Sequence, residues 1–458
     1  MAGNTKHHHV HVAPDGGWGW LVVFASFILQ ALTIGITYTF GVLFVALLDE
    51  YKQSEAVTSW IGSIQPALLY FTGIVAGPLI KKFGWRMVTV IGSLISAIGF
   101  FASSFSPNVY LLYLTYGGLT GIGNGLMYVT SMVAVQHWFD KRRAMATGLA
   151  VSGSGVGTLT FGYLTQKLVE EVGWRNTVRI QAAIILLGIV CGLLYRPLPD
   201  NDTSEEKVTL TKEENETEED NDNDDDQKKG CCHSCTSLID TSLYRNPIFV
   251  IFCISIILFC FGYHVPYTYT PDRAMSLFNI EPGKAAFLVS IMGISNVCSR
   301  LIFGWVGDRS VSVRFFLGGA VLTLGGVVSC FSPLYTTYSL MVLYSVLFGA
   351  FTGCWASLFP AILVDLLGVE VIEQSLGQCL AAGSIAFLLA SPMSGFILER
   401  TGSYDLPFIV VGAAEGVGGL LFIIIWFIKR RQREADYEEI PEETAPYQRR
   451  RYYSESFS

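Results

Sequence analysis

The most informative residue of this 458-residue chain is an arginine inside an apolar run, Ala285-Ala-Phe-Leu-Val-Ser-Ile-Met-Gly-Ile-Ser-Asn-Val-Cys-Ser-Arg300. A guanidinium in the middle of a membrane helix costs about 2.5–3.5 kcal/mol on insertion scales, so Arg300 must face a cavity or a partner. Its planar fork suits a carboxylate; the plain alternative is a side chain that snorkels to the near interface. Glu415 is a second ionisable group in apolar surroundings, with no evident partner, and a candidate proton site. His264 is another, in the aromatic stretch Phe261-Gly-Tyr-His-Val-Pro-Tyr-Thr-Tyr, although hydrogen-bonded interior histidines are the commoner case. Lys141, Arg142 and Arg143 stand at a helix entry, where basic groups can pair with carboxylates or helix C-termini in one state and release in another. They read as a gate or as topology signals alone. Cys231-Cys-His-Ser-Cys235 lacks a second ligand pair for zinc, which leaves palmitoylation or unmodified thiols. No Gly-x-x-x-x-Gly-Lys-Ser/Thr loop is present, so neither a nucleotide-driven pump nor a cofactor is expected.

The elements that must hold these groups are membrane spans. Half of the chain is hydrophobic and only 15% charged. Its apolar residues gather into runs of about twenty, long enough to cross a hydrocarbon core as helix. Twelve runs are expected: Trp18–Leu48, Val57–Ile80, Met87–Ala102, Val109–Gln136, Ala144–Leu168, Val178–Leu194, Ile248–Thr270, Ala285–Trp305, Phe315–Phe331, Leu340–Leu363, Leu376–Leu398 and Pro407–Ile428. The polar start and the length of the first run argue against a cleaved signal peptide. The domain reading is a tail (1–17), a six-helix half (18–195), a linker (196–245), a second six-helix half (246–428) and a tail (429–458). Within the linker, 201–226 carry thirteen acids and two lysines, a composition that stays disordered. That segment alone turns the chain acidic, so the net charge of −8 names no partner and no nucleic acid is expected.

Lysine and arginine crowd alternate loops: Lys81, Lys82 and Arg86; Lys141 to Arg143; Arg309 and Arg314; Lys429 to Arg433. The positive-inside bias makes those loops, the linker and both termini cytoplasmic. The sequons at Asn201 and Asn215 then stay unglycosylated.

The two halves echo each other. Gly77-Pro-Leu-Ile-Lys-Lys-Phe-Gly-Trp-Arg86 closes the second span and Gly304-Trp-Val-Gly-Asp-Arg309 the eighth; Gly153-Ser154 in the fifth is matched by Gly383-Ser384 in the eleventh. These loops resemble the glycine-and-charge loops of major facilitators, an all-α membrane fold of two six-helix halves with a midplane site. Within that superfamily, Pro14-Asp-Gly-Gly-Trp-Gly-Trp20 and His137-Trp-Phe-Asp-Lys-Arg-Arg-Ala-Met-Ala-Thr-Gly148 resemble the opening and fifth-helix signatures of the monocarboxylate transporters.

The resemblance implies a secondary transporter of monocarboxylates or related carboxylate-bearing solutes, in the plasma membrane. The substrate is then a small organic anion or zwitterion, and a single-span glycoprotein serves some family members as chaperone. Proton-coupled members pair the arginine with an aspartate one turn earlier and a lysine in the first span; Asn296 and Tyr38 stand at those positions here. Neither titrates usefully near neutral pH, so symport with protons is in doubt. Tyr70, Asn124, Ser154 and Phe359 occupy positions that, by the same resemblance, face the cavity. Transport of another organic solute class, or a receptor that kept the fold without flux, are the competing readings.

Overall fold

The computed structural model describes residues 13–196 and 241–438. The expectations that concern the linker centre, its two sequons and the Cys231–Cys235 cluster lie outside these residues. Among the described residues, ten helical stretches are long and apolar enough to cross a membrane. Two of them break at a glycine, Gly84 (φ 77°, ψ 162°) and Gly173 (φ 79°, ψ 161°), each opening a Gly-Trp-Arg tripeptide. Only glycine adopts that backbone conformation without strain, so the same local device reverses the chain twice.

Divided at these glycines, and with Glu55–Phe71 running through Thr72 into Gly73, the described residues form twelve rods. They are α1 (Gly19–Tyr51), α2 (55–83), α3 (85–103), α4 (Val109–Trp138), α5 (143–172), α6 (174–194), α7 (Pro247–Phe278), α8 (Pro282–Gly307), α9 (Val311–Cys330), α10 (Tyr338–Leu367), α11 (Ile372–Thr401) and α12 (Asp405–Glu438). Each matches one of the expected apolar runs and extends most of them by a few residues, with Trp18 and Phe331 falling one residue outside α1 and α9. Side-chain caps begin several of the rods. Ser54, Asn108, Ser310 and Thr337 each accept a hydrogen bond from the amide three residues on, satisfying a donor that the first turn leaves unpaired.

Large apolar side chains such as Phe24, Ile98, Leu114, Ile302, Phe316 and Phe396 point outward. A lipid surround accounts for that exposure, and it demands rods whose backbone bonds close within themselves. The two halves, α1–α6 and α7–α12, meet through α2 against α11 and α5 against α8. These contacts are images of one another under a shift of six helices, the relation that two parallel repeats produce. Close approach inside the first half needs small residues: a Cβ on Gly35 of α1 would sit 2.7 Å from the Gly157 carbonyl carbon of α5. An even number of rods brings Ala13, Arg196, Thr241 and the end of α12 to one face, called here the terminal face.

Candidate functional site

At the terminal face the two halves are locked together. Asp308, which ends α8, accepts hydrogen bonds from the backbone amides of Ala144 (2.7 Å) and Met145 (2.8 Å) at the start of α5. A carboxylate from one half thus occupies the electropositive N-terminus of a helix from the other. Burial pushes the Asp308 carboxyl above its usual range, against the opposite pull of those two amides and of Arg314 and Arg143. Arg314 bridges Asp308 (3.3 Å) and Asp365 (2.8 Å), and the buried Arg143 lies 3.9 Å from Asp365 and 3.1 Å from Asp140. His137 Nε2 on α4 reaches Glu373 Oε1 on α11 at 2.9 Å, with the Trp85 ring 5.0 Å away.

The opening signature explains itself here. Asp15 accepts from the amides of Asp140 (2.8 Å) and Lys141 (2.9 Å), Trp18 donates to the Leu194 carbonyl (2.9 Å), and Trp20 meets Phe139 edge to face. The Pro-Asp-Gly-Gly-Trp-Gly-Trp string therefore pins the α4–α5 loop and the end of α6, a role more specific than an interfacial aromatic belt.

Above this floor lies a cavity of about 860 Å³ between the halves. Gln30, Tyr128, Arg300 and Phe359 line its deep end; Val42, Gln166, Pro271 and Val289 line its upper reach. The deep residues lie toward the terminal face on their rods and the upper ones toward the other, so the cavity opens away from the termini. Tyrosines dominate its wall. Tyr70 stacks on Phe387 across the halves (4.8 Å, 7° between planes) and meets Tyr128 edge to face, while Tyr263 and Tyr267 run along α7. A break in α1 brings Tyr38 into this wall. Residues Ala31–Gly35 form a π-turn, and the Thr33, Thr37 and Thr39 hydroxyls bond back to Leu29, Thr33 and Ile36 carbonyls, which loosens the helix there.

Arg300 is buried yet lines the cavity, which removes the snorkelling alternative. Its Nη1 donates to the Ser154 hydroxyl (2.6 Å) and to the Val151 carbonyl, both on α5 of the opposite half. Its Nε is buried with no hydrogen-bond partner, and no carboxylate lies within 4 Å of the guanidinium among the described residues. Asn296, one turn earlier on α8, also lines the cavity and donates from Nδ2 to the Thr352 hydroxyl at 3.1 Å.

Of the residues singled out from the sequence, Arg300, Asn296, Tyr38, Tyr70, Ser154 and Phe359 converge on this cavity. Asn124 does not: it is fully buried within the first half, bonded to Ser96 (2.7 Å) and Thr37 (3.4 Å), because α3 and α4 pack too closely to leave its amide free. Glu415 is buried 1% exposed between α7, α9 and α12, against Gly262 and Gly325 and away from the cavity lining. His264 lies on α7, its side chain outside the described ones. In the basic triplet only Arg143 enters the closing network; Lys141 and Arg142 are exposed. Sequence reasoning missed Tyr128, Tyr263, Tyr267 and Thr352 in the cavity, and Asp308, Asp365 and Glu373 at the floor. The acids carried a signal, since Asp365 ends an apolar run and Asp308 sits in the repeated loop.

The chain matches the model of the Major Facilitator Superfamily over residues 26–309 and 249–454. It is 30% identical over 401 residues to monocarboxylate transporter 12 of Xenopus laevis, covering 87% of this chain and 86% of that protein. It is 29% identical to monocarboxylate transporter 10 of Mus musculus (92% of this chain, 81% of that protein) and 30% identical to monocarboxylate transporter 14 of Homo sapiens (91% of each). Among solved structures it is similar to the proton:xylose symporter XylE bound to 6-bromo-6-deoxy-D-glucose, with a TM-score of 0.67 at 16% identity, covering 88% of this chain and 94% of that one. It is similar too to FucP in the outward conformation, with a TM-score of 0.65 at 14% identity, covering 89% of this chain and 99% of that one. At such identities these two structures share the fold.

Proposed function

The chain belongs to the monocarboxylate transporter family of the major facilitator superfamily, a multi-pass secondary transporter, and we propose that it carries organic solutes bearing a carboxylate. The observation that supports this reading is the state of Arg300. A buried guanidinium in a membrane interior needs an anion. This one touches the cavity, spends one nitrogen on the opposite half and has no acid beside it among the described residues. A substrate carboxylate supplies the missing charge and takes a charge-assisted hydrogen bond. The tyrosine-rich wall suits the apolar or aromatic body of such a solute, and the cavity volume exceeds what a three-carbon acid fills.

We take the terminal face as cytoplasmic, from the lysine and arginine bias, so the state described here is open to the outside. Arg143, Asp308, Arg314, Asp365, His137 and Glu373 then form the inner gate, which parts as the cavity closes outward. Such bistable ion-pair and helix-end contacts are what rocking of two rigid halves requires. Among the described residues the cavity wall offers no carboxylate beside Arg300, and Tyr38 stands where a cationic partner is expected, so uptake is facilitated and depends little on a proton gradient. Uptake of a labelled panel (lactate, pyruvate, creatine, aromatic amino acids, thyroid hormones) at two external pH values tests substrate class and coupling together. Transport of uncharged analogues in preference to every carboxylate contradicts the reading.

A further inference from the structure

The Asn296 amide has one orientation, and the hydrogen-bond pattern fixes it. Thr352 has a single hydroxyl proton, which goes to the carbonyls of its own helix, Phe348 at 2.9 Å and Gly349 at 3.2 Å. Toward Asn296 the Thr352 oxygen accepts, and the amide nitrogen faces it at 3.1 Å. The amide oxygen is thereby turned away from Thr352. It receives no donor among the described residues and is not among the polar atoms sealed from solvent without a partner. Asn296 lines the cavity and is 5% exposed, so this oxygen is a preorganised acceptor at the cavity wall. One turn further along the same face of α8 stands Arg300, 7% exposed, with its Nε unpartnered. Side chains four residues apart on a helix lie roughly 5–6 Å apart at Cβ.

From this arrangement we propose that Asn296, held by Thr352, is a specificity-determining residue. It accepts a hydrogen bond from an N–H or O–H donor that the substrate carries a few bonds from the carboxylate bound by Arg300. The proposal rests on the carboxylate reading of Arg300. A solute with a carboxylate and no nearby donor leaves the amide oxygen desolvated and unpaired when it fills the cavity, and that loss is the basis of discrimination. Hydroxyl and ammonium donors share this chemistry.

The test measures uptake of three labelled probes of one shape by proteoliposomes containing the full chain: 3-phenyllactate, phenylalanine and 3-phenylpropanoate. The wild type favours at least one donor-bearing probe over 3-phenylpropanoate by about tenfold in kcat/KM, the size of one well-placed hydrogen bond. Asn296→Leu, and independently Thr352→Val, bring that preference within about twofold while uptake of 3-phenylpropanoate is retained. A purely structural role would depress all three probes alike, and that outcome overturns the proposal, as does an unchanged preference in both variants. Arg300→Gln separates the two levels of the argument. If it leaves uptake of all three probes intact, the carboxylate reading fails and this inference with it. If it abolishes uptake of all three while Asn296→Leu leaves the preference unchanged, only the role of Asn296 fails.

Discussion

Arg300 and Ser154 belong to opposite halves of the molecule, and the Arg300 Nη1 donates a 2.6 Å hydrogen bond to the Ser154 hydroxyl. Together with the Val151 carbonyl, Ser154 holds the guanidinium at the base of the cavity. The residue offered to the substrate is thus also a tie between α8 and α5. Under the proposed reading, binding and conformational change share a side chain, which gives a ligand a means of biasing the two states differently.

Ser154→Ala removes one acceptor and leaves the backbone carbonyl. The expected loss in kcat/KM is about two- to tenfold, the range of a single hydrogen bond to a charged donor that keeps a second partner. Initial uptake rates over a range of substrate concentrations check it; a loss as deep as that of removing the guanidinium would mean that Ser154, not Arg300, dominates binding.

The three basic residues entering α5 are not equivalent. Arg143 is buried, donates to the Phe139 carbonyl at 2.9 Å and sits between Asp140 and Asp365, whereas Lys141 and Arg142 face outward. Removing one partner of a buried ion pair strands the others. Arg143→Gln is therefore expected to cut flux by roughly tenfold or more at normal surface abundance, with Lys141→Gln and Arg142→Gln near wild type. Surface biotinylation alongside uptake is the measurement, and normal flux in Arg143→Gln would leave the triplet as a topology signal only.

Epitope tags at Gly3 and within residues 201–226 are expected to be reached by antibody only after permeabilisation. Labelling of either tag on intact cells reverses the orientation, and with it the assignment of the open face to the outside.

How much of this was legible without coordinates follows from what the bilayer forbids. Apolar runs announce the rods because lipid leaves the backbone no other way to satisfy its bonds, and Arg300 announced the site because a charge at that depth is costly. Tyr128 and Tyr267 gave no such notice, since aromatic residues are common in spans. The floor was hidden for another reason. Asp308 meets Ala144 at a separation of 164 residues, and only the docking of the halves brings a carboxylate to that helix start. Asn124 shows the limit of carrying a position over by resemblance, since its amide is used up by Ser96 and Thr37.

Coupling to protons is expected to be weak. Raising or lowering external pH by one unit should change uptake less than about twofold, because Asn296 has no proton to exchange and Tyr38 is a phenol, which keeps its proton near neutral pH. Glu415 is the buried acid to exclude. Both its oxygens are buried without a hydrogen-bond partner among the described residues. Glu415→Gln keeps the shape and is expected to leave uptake and its pH profile unchanged. Asn296→Asp should lower uptake, because the new carboxylate competes for Arg300. A several-fold rise of wild-type uptake on outside acidification, collapsed by a protonophore, contradicts weak coupling.

The central claim is that Arg300 binds the carboxylate of the transported solute, and the direct measurement is uptake of the best labelled carboxylate by Arg300→Lys and Arg300→Gln at matched surface abundance. Lysine keeps the charge and loses the planar fork. The account predicts weakened uptake in Arg300→Lys, expressed mainly as a higher KM, and loss of roughly 100-fold or more in kcat/KM in Arg300→Gln. Full carboxylate uptake by Arg300→Gln would contradict it.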